Sequence, residues 1–183
     1  MNKEDLDLNL IRELIEQQDA EKLKELLSGM HPADIAELCD ELDVEEAQFI
    51  YQQMDNETAA DVLIEMDEDA QKDFLETLPS ETIAKKFVDY MDTDDAVDII
   101  REMDEEKQEE ILSHIEDIEQ AGDIVDLLKY DENTAGGLMG TEMVIVKENW
   151  SMPECLREMR QQAEEMDEIY YVYVVDDEER LRG

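Results

Sequence analysis

Large apolar residues punctuate the first two thirds of this chain at a nearly constant interval: Leu42, Met54, Met66, Leu78, Met91, Met103 and Ile115. Each step is twelve residues except the thirteen from Leu78 to Met91. Aspartate usually follows, at Asp43, Asp55, Asp67, Asp92 and Asp104, with Pro79-Ser80 at the longer step. Asp and Ser are favoured N-caps because a side-chain oxygen accepts from the unpaired amides of a helix's first turn. Glu46 after Asp43 and Asp95 after Asp92 extend two of these to capping boxes. Between boundaries the apolar spacing is helical: Ala59, Val62, Leu63 and Met66 follow i, i+3, i+4, i+7, as do Ala96, Ile99, Ile100 and Met103.

Each predicted helix is about ten residues, roughly 15 Å, and too short to stand alone. It must bury its stripe against neighbours. Alternate units look most alike (Ala33-Asp34-Ile35-Ala36, Thr58-Ala59-Ala60-Asp61, Thr82-Ile83-Ala84-Lys85). The repeat is therefore two helices, about 24 residues, stacked as a short solenoid. Helices at about Leu6 to Gln17 and Glu21 to Ser28 are expected to cap one end. In all, residues 5–129 should hold about nine or ten helices in a right-handed array, with Leu63, Met66, Leu78, Ile100 and Met103 buried.

The period changes after the segment KYDENTAGGLMGTEMVIV, residues 129–146, which carries the only paired glycines, Gly136 and Gly137. Glycine there allows positive φ or a close approach to the backbone. Met143 to Val146 reads as a strand. Ser151-Met152-Pro153-Glu154 starts a helix that should run to about Met166, and Ile169 to Val175 is a β-branched and aromatic strand. The pattern divides the chain into an acidic helical domain (1–130), a linker (131–140) and an unfinished α/β unit (141–183) that stops in mid-strand. It reads as part of something longer.

Charge narrows the possible partners. Fifty-five acidic against fifteen basic side chains leave a formal charge of −40. Such a surface repels nucleic acid and anionic lipid and attracts cations or basic proteins. The 42% of residues that are hydrophobic fall in regular patterns, which marks the chain as folded rather than disordered. There is no signal-peptide core at the start, and the longest apolar run, Ile169 to Val175, is too short to span a bilayer. Cys39 and Cys155 are too few for a disulfide framework or zinc site, and both are expected to be reduced core thiols.

Catalytic patterns are missing from the sequence. His31 precedes a proline at a helix start and His114 sits near a helix end, neither within a triad-like arrangement. No phosphate loop, zinc-protease motif or EF-hand loop is present, and the methionines close helices as core packing. The chain is not expected to be an enzyme. One geometric feature stands out. With Ala96, Ile100 and Met103 buried, Asp94 and Asp98 lie on the far side of their helix, about 40° apart and one turn removed. Asp61 likewise points away from its own stripe. Oxygen-only carboxylate pairs suit a hard cation, Mg²⁺ or Ca²⁺. The bland alternative is a solvated acidic face, with Arg101 placed to neutralise Asp98.

An acidic helical solenoid with HPADIAEL (31–38), then YDENTAGGLM (130–139), then IYYVYVVD (169–176) resembles the intracellular part of the MgtE family of magnesium channels. The resemblance covers essentially the whole chain. It implies a superhelical N domain joined to the first part of a cystathionine-β-synthase-type (CBS) motif, with the rest of that motif, a second one and a transmembrane pore lying beyond this sequence. It also implies a homodimer at the cytoplasmic face of the membrane, in which Mg²⁺ bridging the N and CBS domains holds the pore closed. By motif position it implies metal ligands at Asp61, Asp94 and Asp98 and a carbonyl of Gly137, with CBS-side partners beyond Gly183. The competing expectation is an acidic helical scaffold that binds a basic protein without metal.

Overall fold

The computed structural model describes residues 8–163, 166 and 169–183. Among the described residues ten α-helices run in sequence: α1 (Leu8–Glu16), α2 (Ala20–Leu27), α3 (Pro32–Asp40), α4 (Val44–Tyr51), α5 (Asn56–Ile64), α6 (Glu68–Glu76), α7 (Ser80–Lys86), α8 (Thr93–Arg101), α9 (Glu105–His114) and α10 (Ile118–Leu127). A 3₁₀ turn at Val88–Tyr90 fills the longer step of the repeat. Strand β1 (Val144–Lys147), helix α11 (Met152–Gln162) and strand β2 (Val172–Val175) follow. The strands are parallel, Val144 opposite Val172. β1 is shifted by one residue from its sequence pattern and β2 is shorter than its own. α11 ends at Gln162, and residues 164–165 of the expected helix lie outside the described residues.

Caps set most boundaries as expected. Asp43 accepts from the Glu46 amide at 2.9 Å while the Glu46 carboxylate takes the Asp43 amide at 3.1 Å. Asp55, Asp67 and Asp104 also cap their helices. Two sites differ. Ser80 is not a cap: Pro79 holds that place, and the Ser80 hydroxyl donates to Glu110 at 2.7 Å. Asp92 makes no side-chain cap bond, and the expected box with Asp95 does not form.

The helices stack in two layers because each is apolar on a stripe too narrow to close on itself. Odd-numbered helices touch in succession, α3 on α5, α5 on α7 and α7 on α9, while α4 meets α6 and α8 meets α10. One core cluster runs from Ile11 to Leu127. Tyr51, Phe74 and Phe87 meet at its centre, with Tyr51 and Phe74 ring centroids 4.5 Å apart. From Met54 onward the unit-closing residues alternate between half-buried (Met54, Leu78, Met103) and buried (Met66, Met91, Ile115). That alternation is the two-helix repeat seen from the inside. It corrects the expectation that Leu78 and Met103 are fully buried. Leu63 and Ile100 are.

The α/β part has its own small core of Val144, Val146 and Val175. Helix α11 buries none of its residues, so Cys155 is half-exposed and not the core thiol expected, whereas Cys39 is buried. Ile145, Tyr171, Tyr173 and Leu181 remain exposed. The outer edge of β1 is paired by a side chain: the Gln162 amide accepts from Ile145 N at 2.8 Å and donates to Ile145 O at 2.9 Å. At the other end Asp176, 3% exposed, accepts from the Glu178 and Arg180 amides and pairs with Arg180 and Arg182. No helix among the described residues is long and apolar enough to cross a membrane.

Candidate cation site around helix α8

Helix α8 carries its apolar stripe, Ala96, Val97, Ile99 and Ile100, into the core, which forces its acidic residues outward. Asp98 reaches solvent with 67% of its side chain exposed and pairs with Arg101 at 3.2 Å, the neutralisation its i+3 spacing predicts. Asp94 is half-buried rather than open, and so is Asp61 on α5. Partial burial pushes the Asp98 carboxyl above its ordinary range; Arg101 opposes this, and Asp94 and Glu132 raise it further. Burial together with the neighbouring carboxylates thus outweighs the Arg101 guanidinium at Asp98.

The linker folds back onto this helix. Residues 131–137 form a compact turn in which the Thr134 and Gly137 amides bond to Asp131 O and Thr134 O, both at 3.0 Å. Arg101 donates to Tyr130 O at 3.4 Å. Neither paired glycine adopts positive φ. Their smallness serves close approach instead: a Cβ on Gly136 would stand 2.6 Å from the Tyr130 ring, and one on Gly137 2.8 Å from Glu132 Cα. Asp98, Arg101, Glu132 and Leu138 line a cleft with Glu68 and Lys72 of α6.

A carboxylate that sequence reasoning did not single out completes the arrangement. Glu142, just before β1, takes the Thr93 amide at 2.9 Å and the Thr93 hydroxyl at 3.0 Å, so the first amide of α8 is satisfied from 49 positions away. Asp92, Asp94 and Glu142 bring one carboxylate oxygen each within 4.8 Å of one another. Among the described residues this is the acidic group spaced to hold a metal, and neither Asp61 nor Asp98 is in it. No sequence signal beyond the small Gly140 two residues before it points to Glu142. All the donors are oxygen, with no thiol or imidazole, a set that fits a hard divalent cation.

Comparison with known proteins follows the same lines. Residues 30–133, over half of the chain, match the family of the MgtE intracellular N domain. A magnesium transporter MgtE from Enterococcus faecalis is 43% identical over 65 residues, 36% of this chain and 14% of that protein. One from Thermus thermophilus is 47% identical over 57 residues, 31% of this chain and 13% of that protein. The matched stretches thus span only about a seventh of those relatives' lengths. Two solved structures cover almost the whole fold. The soluble part of a magnesium transporter gives a TM-score of 0.81 at 31% identity, over 95% of this chain and 68% of that one. The cytosolic domain of the Mg²⁺ channel MgtE in complex with ATP gives 0.85 at 30% identity, over 97% and 72%.

Proposed function

The chain belongs to the family of the MgtE intracellular N domain, and on that premise we propose that it is the magnesium-sensing cytosolic portion of a magnesium transporter. Its curated relatives are magnesium transporters rather than enzymes. The observation that carries the reading is the family match together with the carboxylates that α8 gathers beside the linker. In this reading Asp61, Asp94 and Asp98, with the Gly137 carbonyl, are the ligands on this side of a bridged interface, and Asp92 and Glu142 add to the acidic field around Asp94. Bound Mg²⁺ would supply two positive charges and ordered water where the side chains offer only negative charge.

The chain's own residues do the rest. An acidic solenoid facing an acidic CBS surface is held off by like-charge repulsion, less so as ionic strength rises. Docking is favoured only by as much as a divalent cation prefers the docked arrangement. Several weak carboxylate sites then give a graded response in the millimolar range. The docked state is the one that holds the pore closed. The partners are the transporter's own CBS and membrane parts in a homodimer at the cytoplasmic face.

The test uses a chain carried through both CBS motifs. Millimolar Mg²⁺ should protect the region around Gly136 from protease and raise the melting temperature, and KCl at matched ionic strength should do neither. Asp94→Asn with Asp98→Asn should remove most of the effect, while Glu105→Gln with Glu109→Gln on α9 should keep it. If both pairs respond like the parent, these aspartates are a solvated face, and the scaffold that binds a basic protein replaces the sensor.

A further inference from the structure

We infer that Glu142 is a positioning residue: it latches the linker onto the start of α8 and thereby sets where Asp94 stands. The inference rests on the sensing reading for its consequence, but the latch itself is independent of any metal.

Thr93 is 1% exposed, so neither its amide nor its hydroxyl can be satisfied by water, and a buried donor left unpaired is costly. In a typical helix start the N-cap side chain reaches the second or third amide, so the first must find its partner elsewhere. At α8 that partner is the Glu142 carboxylate. The same carboxylate accepts from Thr141 N at 3.0 Å, and Thr141 N also reaches the Thr93 hydroxyl at 2.9 Å. The two threonine hydroxyls meet at 3.1 Å. The two residues that directly follow the linker and one of α8 thus share a closed set of hydrogen bonds. The positive end of the α8 dipole adds to the attraction for an anionic cap.

Asp94 is tied into this arrangement by crowding. A Cβ on Gly140 would lie 2.9 Å from Glu142 Oε2 and 3.2 Å from Asp94 Oδ1. The linker backbone therefore passes directly beside the Asp94 carboxylate, and glycine is what lets it pass. With the linker latched, three carboxylates are confined together against their repulsion. Released, Glu142 and Asp94 would move apart and the spacing of the acidic group would be lost. Cation affinity at Asp94 therefore depends on a residue that need not ligate.

Amide exchange of the 183-residue chain without divalent cation tests the latch. Glu142→Ala should speed exchange at Thr93 and Thr141 by about tenfold or more while leaving Leu63 and Ile83 at parent rates, because only a local opening changes. Thr93→Val should do the same, and Thr93→Ser, which keeps the hydroxyl, should restore parent exchange. Parent exchange at Thr93 and Thr141 in Glu142→Ala would overturn the latch. The positioning role is read in the Mg²⁺-responsive chain described above, as the Mg²⁺ midpoint for protection of the linker. Glu142→Ala and Gly140→Ala should each raise that midpoint severalfold, and Thr93→Ser should not. A parent that responds to Mg²⁺ while Glu142→Ala keeps its midpoint overturns the positioning role alone. A parent with no Mg²⁺ response overturns the sensing reading and the positioning role with it, and leaves the latch standing.

Discussion

Replacing Leu63 by Ala, with Leu78→Ala beside it, measures how the solenoid is held together. Leu63 closes the apolar stripe of α5, a helix that touches α3, α7 and the 3₁₀ turn, and it is 0% exposed. Its neighbours are themselves short helices locked on both sides, so the site cannot collapse around the missing atoms. The cost belongs to the range for a trapped cavity, about 2–5 kcal/mol. Leu78, a unit-closing residue, is only half-buried, so less transfer free energy is lost and water fills part of the space, for a cost of about 1–2 kcal/mol. Against a total of about 5–15 kcal/mol, the first change removes a large share of the stability and the second a modest one. Urea unfolding at fixed ionic strength is the assay, because a surface of −40 makes stability salt-dependent. Both variants should shift the midpoint with an unchanged slope. Equal losses at Leu63 and Leu78, or a loss below about 1 kcal/mol at Leu63, would refute the two-layer account of the core.

Three further outcomes follow from the described contacts. Burial, helped by Asp40, pushes the Cys39 thiol up to about 12, so in the native chain a thiol reagent at pH 8 should label the half-exposed Cys155 and spare Cys39 until the solenoid unfolds. The Arg180 amide, against opposing burial and with the Arg180 guanidinium, the Glu178 amide and Arg182, holds Asp176 below its ordinary 3.8. Its contribution is therefore complete above the ordinary value and is lost as pH falls through the lowered one. The turn at 176–180 should stay intact from pH 8 to 5 and loosen in more acidic solution, as followed by Val174 and Arg182 amide signals, and loosening between pH 7 and 5 would contradict this. Gly137→Ala should open the 131–137 turn, seen as faster exchange at Thr134, since its Cβ has no space beside Asp131 and Glu132.

The chain's local chemistry was legible without coordinates. Periods of 3.6 and 2 depend only on which side of a helix or strand must leave water. Helix boundaries at Asp43, Asp55, Asp67 and Asp104 were legible because a cap is a contact across two or three residues. The outward placement of Asp98 followed from the same rotation per residue that buries Ile100. What failed involved contacts over long sequence distances. The first amide of α8 is taken by Glu142, 49 residues on, while the local Asp92–Asp95 signature yields no side-chain cap bond. The glycine pair is small to admit Tyr130 and Asp131, not to turn left-handed, and only the folded linker distinguishes those uses. Burial at the unit-closing residues alternates because stacked layers enclose every second boundary more fully, although the sequence repeats at every one. Pattern fixes which face of each short helix must be covered. Tertiary packing alone decides what covers it, and so which carboxylates are brought within reach of one ion.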